Sequence, residues 1–528
     1  MSSPLSLMAL VRRWHVPALL ALIVVGATLL RSREIAQRSF WFDEAFSWRL
    51  TRFPLVEMVE RTAWDVHPPL YYLLLKPWAA LGGTSPVALR SLSLVFSGLT
   101  VVGMYLFTAE AFAGREELGV GAAQKAKGLG LFVAGLVALS IFQARYGSEA
   151  RMYALATALA AFSGWSLLRA LRADSGRRRK WLVYGLLSLL FLYTHNYALF
   201  SLAAQAVFVV GFLCVQADWD AGAFLRGPTF RYALLTAAAV ALGYLPWLPV
   251  LLRQRAQVQA DYWTGPVSEW TVAHLCYQMF VTVDAPAPFS RRAALVAADL
   301  CALGLLALWR KARLGEWYLL SATVGPLGLS VLAFTFGAKV FAFRFFLFAH
   351  LFLVAGVGVL AARLPSWSGR WLAAVALVVA SLYTYHTYWQ QMDTAHKPGA
   401  RGAAEFLAAR RTPAEPVVVS SPYFYLPLRY HCGEQPGWYC YSDVPLRHYQ
   451  GAPVLTSDDT ITAERLAAVT ARRVWVVNMT DSIWGDRAVP VPPGWVRREE
   501  ERFPEVLGLG DMVVVAYETA APPGGGRP

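Results

Sequence analysis

The sequence predicts an α-helical polytopic membrane protein with a small soluble α/β domain at its C-terminal end. Three observations predict it: charge is scarce, apolar residues recur in blocks long enough to cross a bilayer, and the composition turns water-soluble after His396.

The scarcity of charge carries the most weight. Of 528 residues, 56% are hydrophobic, 14% aromatic and only 16% charged, and the mean hydropathy is +0.41. Soluble domains carry charge on about a quarter of their residues, so this chain lacks the ions to cover a water-facing surface. A disordered chain and a compact cytosolic enzyme are both excluded. The formal charge of +14 does not indicate nucleic acid, because most of the excess lies in short clusters between apolar blocks, such as Arg177, Arg178, Arg179 and Lys180. That is the pattern of membrane topology.

A span needs about 20 apolar residues. Apolar windows bounded by charge place helices near 15–31, 87–110, 128–144, 151–170, 181–198, 200–216, 232–252, 293–309, 317–336, 346–362 and 371–388, about eleven in all. The first follows Arg12 and Arg13 and meets no small-x-small cleavage site before Arg31 and Arg33, so it reads as a retained helix rather than a signal peptide. With the N-terminus cytoplasmic, the inside connections carry Arg115, Lys125 and Lys127, then Arg169 to Lys180, Arg226 and Arg231, Arg310 with Lys311 and Arg313, and Arg363 with Arg370. Every inside loop is then basic. An odd number of spans puts everything after residue 390 on the outer side.

The expected organisation is a membrane module over 1–389, an outer domain over 390–521 and a Pro- and Gly-rich tail at 522–528 expected to be disordered. Three outer connections are rich in polar and aromatic residues: 32–86, where Pro54 to Trp64 suits a helix lying in the interface plane, 253–292, and 337–345. In the outer domain, helical stretches at Arg401 to Arg411 and Thr462 to Arg472 alternate with strand-like runs at Pro416 to Ser420, Val474 to Val477 and Met512 to Tyr517, the pattern of an α/β fold. Of five cysteines, Cys214 and Cys301 sit in apolar spans as small buried hydrophobes. Cys432 and Cys440 bracket a turn-rich segment, and oxidising conditions outside would let them form a disulfide. A metal site is the poorer reading there, since His431 and His448 lack zinc spacing.

Several outer segments could carry chemistry. Asp43 and Glu44 lie within Trp41-Phe42-Asp43-Glu44-Ala45-Phe46-Ser47, and acids beside a bilayer are costly unless partnered or solvated. The alternative is that one acid caps a helix starting at Ala45. In Asp65-Val66-His67-Pro68-Pro69-Leu70-Tyr71-Tyr72 the prolines hold His67 at the entrance to a helix beginning near Leu70, where it could donate to a phosphate oxygen or be a plain interfacial histidine. The turn from Arg145 to Tyr153 sets Arg145, Arg151 and Glu149 at the membrane face. Arginine grips phosphate in a fork and Glu149 could orient either neighbour; a surface Arg-Glu pair with snorkelling stems is the alternative. Tyr193 to Tyr197, with His195, and the pair Lys339 and Arg344 add polar groups on the same side.

Taken together, the acidic pair in the first outer loop, the His-Pro-Pro-Leu-Tyr-Tyr entry, Glu-Ala-Arg-Met-Tyr-Ala-Leu at 149–155 and Tyr-Thr-His-Asn-Tyr-Ala at 193–198 resemble the GT-C membrane glycosyltransferases. Within them the chain is most similar to the bacterial branch related to protein O-mannosyltransferases and the lipid A aminoarabinose transferase, and is family 39-like. The resemblance covers about the first 350 residues, and Lys397 to Leu407 resembles the start of that branch's terminal domain.

The resemblance implies a GT-C fold and a transferase that takes sugar from a polyprenyl-phosphate-linked donor at the periplasmic face of a bacterial inner membrane. The acceptor would be a lipid, glycan or protein; membrane lipids surround the chain, and no nucleic acid is involved. Asp43 matches the family's catalytic acid, the base that activates the acceptor. His67 stands where the lipid A branch has a phosphate-binding lysine, so the grip on the donor phosphate would lean more on Arg145, Arg151 or Arg344, with Lys339 beside them. Glu149, Tyr71, Tyr153, His195 and Tyr197 are the candidates to line the substrate. A sugar phosphate needs only cations for its departing charge and a carboxylate for the acceptor proton, and such a direct displacement inverts the anomeric centre. A retaining route would want a second carboxylate about 5 Å away as nucleophile. Glu44 could instead orient the acceptor or bind a divalent ion; a metal-independent reaction with no cofactor is favoured. The competing class is a transporter or lipid-linked-sugar flippase, which would place ionisable groups at the bilayer midplane and show internal repeats.

Overall fold

The structure, a computed structural model, describes residues 7–33, 35–113, 121–263, 267–281, 290–310, 312–339, 341–482, 485–506 and 509–519. Arg115, Lys311 and the tail at 522–528 lie outside the described residues, as do the side chains of Arg12 and Arg13.

In chain order the helices are α1 (Leu7–Ser32), α2 (Phe42–Arg52), α3 (Leu55–Trp64), α4 (Leu70–Gly82), α5 (Pro86–Phe112), α6 (Ala122–Ala138), α7 (Ile141–Gly147), α8 (Tyr153–Leu171), α9 (Arg177–Leu192), α10 (Ala198–Gln216) and α11 (Ala221–Arg226). They continue as α12 (Pro228–Tyr244), α13 (Leu248–Ala260), α14 (Thr271–Phe280), α15 (Ser290–Trp309), α16 (Leu314–Thr335), α17 (Leu347–Ala362), α18 (Trp367–Gln391), α19 (Gly399–Arg410), α20 (Pro422–Cys432) and α21 (Ala463–Ala467). The strands are β1 (Val417–Val419), β2 (Trp438–Tyr441), β3 (Thr460–Ile461), β4 (Arg473–Thr480), β5 (Val496–Pro504) and β6 (Asp511–Glu518). The chain forms two compact units.

The first unit holds residues 1–33, 67–71 and 90–388. Each of the eleven expected windows falls mainly on helix, although a break at 139–140 and the turn at 193–197 interrupt two of them. Among the described residues eight helices are long and apolar enough to cross a membrane, nine if α6 and α7 count as one broken span bent by 63°. The protein is a multi-pass membrane protein. Of the remaining windows, α9 has only 16 residues and opens on four basic ones, and α18 also falls outside this set.

The break between α6 and α7 replaces the single helix expected over 128–144. Ser140 caps α7 by accepting from Gln143 N, and the Arg31 guanidinium donates to Val137 O at 2.7 Å and Ala138 O at 3.3 Å. The last carbonyls of α6, which lack an i+4 partner within the helix, thus meet a cation, with Ser140 N also donating to Val137 O at 3.3 Å and the Tyr385 hydroxyl to Ala138 O at 3.5 Å. Elsewhere small residues let helices approach closely: a Cβ on Gly164 of α8 would stand 2.6 Å from the Tyr318 hydroxyl of α16.

The second unit holds 34–66, 72–89 and 389–528. Its six-stranded sheet runs β3-β2-β1-β4-β6-β5, with β3, β2, β1 and β4 parallel and β6 and β5 antiparallel. The short central strand β1 is Val417-Val418-Val419, buried throughout, as a strand covered on both faces requires. The edge strand β5 is mostly exposed and charged, and Glu499 pairs with Arg410 of α19 at 2.8 Å. The helix expected over Thr462 to Arg472 shortens to the five residues of α21. Segments of the first loop pack onto this sheet unit: Phe40 stacks on Tyr430 at 4.0 Å, Arg61 donates to Pro453 O at 2.7 Å, and Arg401 N donates to the Ser39 hydroxyl at 2.8 Å.

The disulfide expected between Cys432 and Cys440 is absent, and both thiols are free. Cys432 closes α20 while Cys440 sits in the buried phase of β2, paired in register with Val419 and Thr460. The segment between them is five residues of loop, 433–437, followed by the first two residues of β2. Burial pushes both thiols up to about 12.

Candidate active site

In the first unit three connections between helices meet around one imidazole. The first enters α4: Pro68 and Pro69 stiffen the backbone, and Leu70 N donates to Tyr193 O at 3.0 Å, which ties the His67 segment to the turn between α9 and α10. The second is the five-residue link from α7 to α8, where Arg151 and Glu149 are 3% and 5% exposed. The third is Tyr193 to Tyr197 itself.

His195 lies at the middle. Its Nδ1 accepts from the Tyr197 backbone N–H at 3.1 Å, so in the neutral ring the proton sits on Nε2. That Nε2–H is buried and has no hydrogen-bond partner among the described residues. The ring is packed edge-on against His67 at 5.9 Å, Phe345 at 5.6 Å and Phe348 at 5.5 Å, and tilted against Tyr153 at 5.8 Å. Burial, with the neighbouring His67, Arg151 and Arg344, holds its pKa well below the ordinary imidazole value. A neutral donor therefore stands among cations, an arrangement that suits an anion.

Arg344 comes from a 3-10 turn, Phe343–Phe346, ahead of α17, and its guanidinium lies 4.8 Å from the Trp263 ring and 6.0 Å from the Tyr153 ring. Arg145, half-buried on α7, lies 5.4 Å from the Tyr146 ring, which packs on Tyr153 at 5.5 Å. The structure thus brings His67, Arg151, Tyr153, His195 and Arg344 together, with Arg145 one aromatic ring away. Tyr197 joins the cluster as a wall, its ring 5.0 Å from Phe345 and its hydroxyl on Ser330 at 3.0 Å. Tyr71 is fully buried, with its hydroxyl 3.0 Å from Ser93, whose own hydroxyl donates to Arg151 O at 3.3 Å. It supports the Arg151 backbone. The Lys339 backbone N donates to Gln259 at 3.0 Å, and among the described residues its ammonium has no ion pair.

Sequence reasoning missed Phe345 and Phe348, whose only local signal is the aromatic run around Arg344.

Asp43 and Glu44 belong to the second unit. They sit in the first turn of α2, whose N-cap is Trp41, with Glu44 N and Ala45 N donating to Trp41 O at 3.1 and 3.0 Å. Neither acid is the N-cap, and the helix begins three residues before Ala45. Both gain from the positive end of the helix dipole. Glu44 is fully buried, 3.8 Å from Arg38, whereas Asp43 is only half-buried. Asp43 also lies close enough to Tyr423 to help raise its hydroxyl, which burial above all pushes up to about 12. Of the two acids Asp43 is the more accessible, as a base must be. Among the described residues no three His, Cys, Asp or Glu side chains are grouped as a metal ion would need.

These helices and the sheet unit make a GT-C fold. No protein-family model and no curated protein matches the chain in sequence. Solved structures do match. ArnT from Cupriavidus metallidurans bound to undecaprenyl phosphate superposes with a TM-score of 0.60 at 12% identity, over 94% of this chain and 97% of that one. Its apo state gives 0.55 at 11% identity over the same shares. The archaeal oligosaccharyltransferase AglB from Archaeoglobus fulgidus, in complex with an inhibitory peptide and a dolichol-phosphate, reaches 0.48 at 11% identity, over 88% of this chain and 70% of that one. At these identities the likeness to ArnT establishes the fold alone.

Proposed function

We propose that this protein is a glycosyltransferase that moves a sugar from a polyprenyl-phosphate-linked donor to a lipid, glycan or protein acceptor at the periplasmic face of a bacterial inner membrane. The observation that carries the reading is the convergence of Arg151, Arg344 and His67 on a neutral His195 with an unused Nε2–H, in the membrane unit of a fold shared with a protein solved with undecaprenyl phosphate. Buried cations and a preorganised donor stabilise the charge that grows on a departing phosphate far better than water does. His67, Arg145, Arg151, His195 and Arg344 take that task. Asp43 takes the proton of the acceptor hydroxyl as it attacks the anomeric carbon, opposite the leaving phosphate, with inversion. Glu44, buried beside Arg38, orients Asp43's helix turn.

The test uses protein reconstituted with a polyprenyl-phosphate sugar. Asp43→Asn should bind the donor as the wild type does and lose about 100- to 10,000-fold in transfer. Arg151→Ala should weaken donor binding itself. Unchanged transfer in Asp43→Asn removes the base assignment, and unchanged donor affinity in Arg151→Ala removes the cradle.

A further inference from the structure

The second unit contains a cavity of about 590 Å³ lined by Arg401, Glu405, Arg411, His431, Gln435 and Trp438 among others. None of these residues belongs to the proposed machinery. Arg411 is held there by hydrogen bonds to neutral acceptors alone: Nε to Glu415 O at 2.7 Å, Nη1 to the Gln435 side-chain oxygen at 3.0 Å, and Nη2 to Pro436 O at 3.1 Å and Pro413 O at 3.5 Å. A guanidinium has five N–H groups, so one on Nη1 is left over. Among the described residues no carboxylate lies within ion-pairing distance of Arg411, whereas Arg401 in the same wall pairs with Glu405 at 3.1 Å. Glu415 attracts the guanidinium through space but its carboxylate is engaged by Thr412 N and the Trp475 indole, so Arg411 is a held cation with no direct ion pair.

Trp438 adds a second, independent mark. It is 4% exposed, its ring lies 5.3 Å from the Arg411 guanidinium, and its indole N–H has no acceptor among the described residues. Buried donors are almost always satisfied. An unspent guanidinium hydrogen and an unspent indole hydrogen in one wall call for an anionic acceptor group. Gln435 and Glu405 supply planar amide and carboxylate groups, the kind that hydrogen-bond neighbouring sugar hydroxyls. The volume falls within the range of small-ligand sites, about 300–1,000 Å³, and exceeds what a simple ion needs.

We propose that this cavity binds an acidic saccharide, seating the sugar's carboxylate on Arg411 beside Trp438. The inference rests on the transferase reading only in taking that sugar as part of the acceptor. The test is binding without turnover. Full-length protein in detergent is titrated with a disaccharide ending in glucuronic acid, its neutral glucose counterpart, acetate and inorganic phosphate, using calorimetry or saturation-transfer NMR. The acidic disaccharide should bind at least tenfold more tightly than the neutral one. Arg411→Gln should weaken it at least tenfold and Trp438→Phe, which keeps the ring and loses only the N–H, several-fold. The binding assay involves no donor and no turnover, so a failed transfer assay leaves this result standing and a failed binding assay leaves the transferase reading standing. Absence of binding to the wild type, equal binding by both variants, or acetate or phosphate binding as tightly as the acidic disaccharide would each overturn the proposal.

Discussion

Glu505 predicts an unusual dependence of stability on pH. It follows β5, is 6% exposed, and accepts from Ala400 N at 2.7 Å at the start of α19. Gly399, at a φ of +52°, comes so near that a Cβ there would stand 2.3 Å from the carboxyl group. Burial pushes the Glu505 pKa from 4.5 up to about 7, with the Ala400 and Val506 N–H groups pulling the other way. The folded protein then holds this proton more tightly than the unfolded chain. The stability it contributes is complete below the unfolded value of 4.5 and is lost as the pH rises through about 7. The rise corresponds to about 3 kcal/mol by pH 8. In a unit of this size that is about 5–10 °C in melting temperature. Glu505→Gln cannot ionise, so its melting temperature minus the wild type's should climb by that amount between pH 5 and pH 8. Any fixed cost of burying the amide shifts the whole difference without changing its slope. Melting would be followed with a thiol-reactive dye that reads Cys432 and Cys440, in a background where Cys214, Cys276 and Cys301 are serine. A difference that stays flat from pH 5 to pH 8 refutes the reasoning.

Three further outcomes are expected. His195→Phe keeps the aromatic packing and loses the Nε2–H, so donor binding should fall about ten- to a hundredfold while the protein stays folded; wild-type affinity should not strengthen between pH 8 and pH 5.5 through this ring, because it stays neutral. Gly164→Leu should abolish recovery of monodisperse protein, since the new side chain would drive into Tyr318, whereas Gly128→Leu, which meets nothing within 4 Å, should be recovered normally. Thiol titration of unreduced, denatured protein should count all five cysteines as free, and a disulfide-linked peptide joining Cys432 to Cys440 would contradict the structure.

Much of the fold was legible along the chain, for reasons visible in particular elements. The membrane helices announce themselves because each apolar residue in a span reports the solvent around it, whatever its neighbours. The α6–α7 break was not legible, because Arg31, which lies over a hundred residues away, makes it tolerable. In the sheet unit, β1, β4 and β6 carry β-branched runs and were found. The strand β5, Val496-Arg-Arg-Glu-Glu-Glu-Arg-Phe-Pro, was not, since its exposed faces show no apolar alternation and pairing with β6 alone makes it a strand. The α20 helix was hidden by its two prolines, one of them tolerated at the first helical position.

Hydropathy and short motifs determined, from sequence alone, that the chain crosses a membrane many times and which polar side chains were worth watching. Only the tertiary structure decided that His67, Arg151, His195 and Arg344 share one aromatic nook, that Tyr71 is a support, and that the acidic loop packs with the C-terminal sheet. The reason is one of range: a side chain's preference for lipid or water is written at its own position, but which groups meet depends on packing between segments up to hundreds of residues apart.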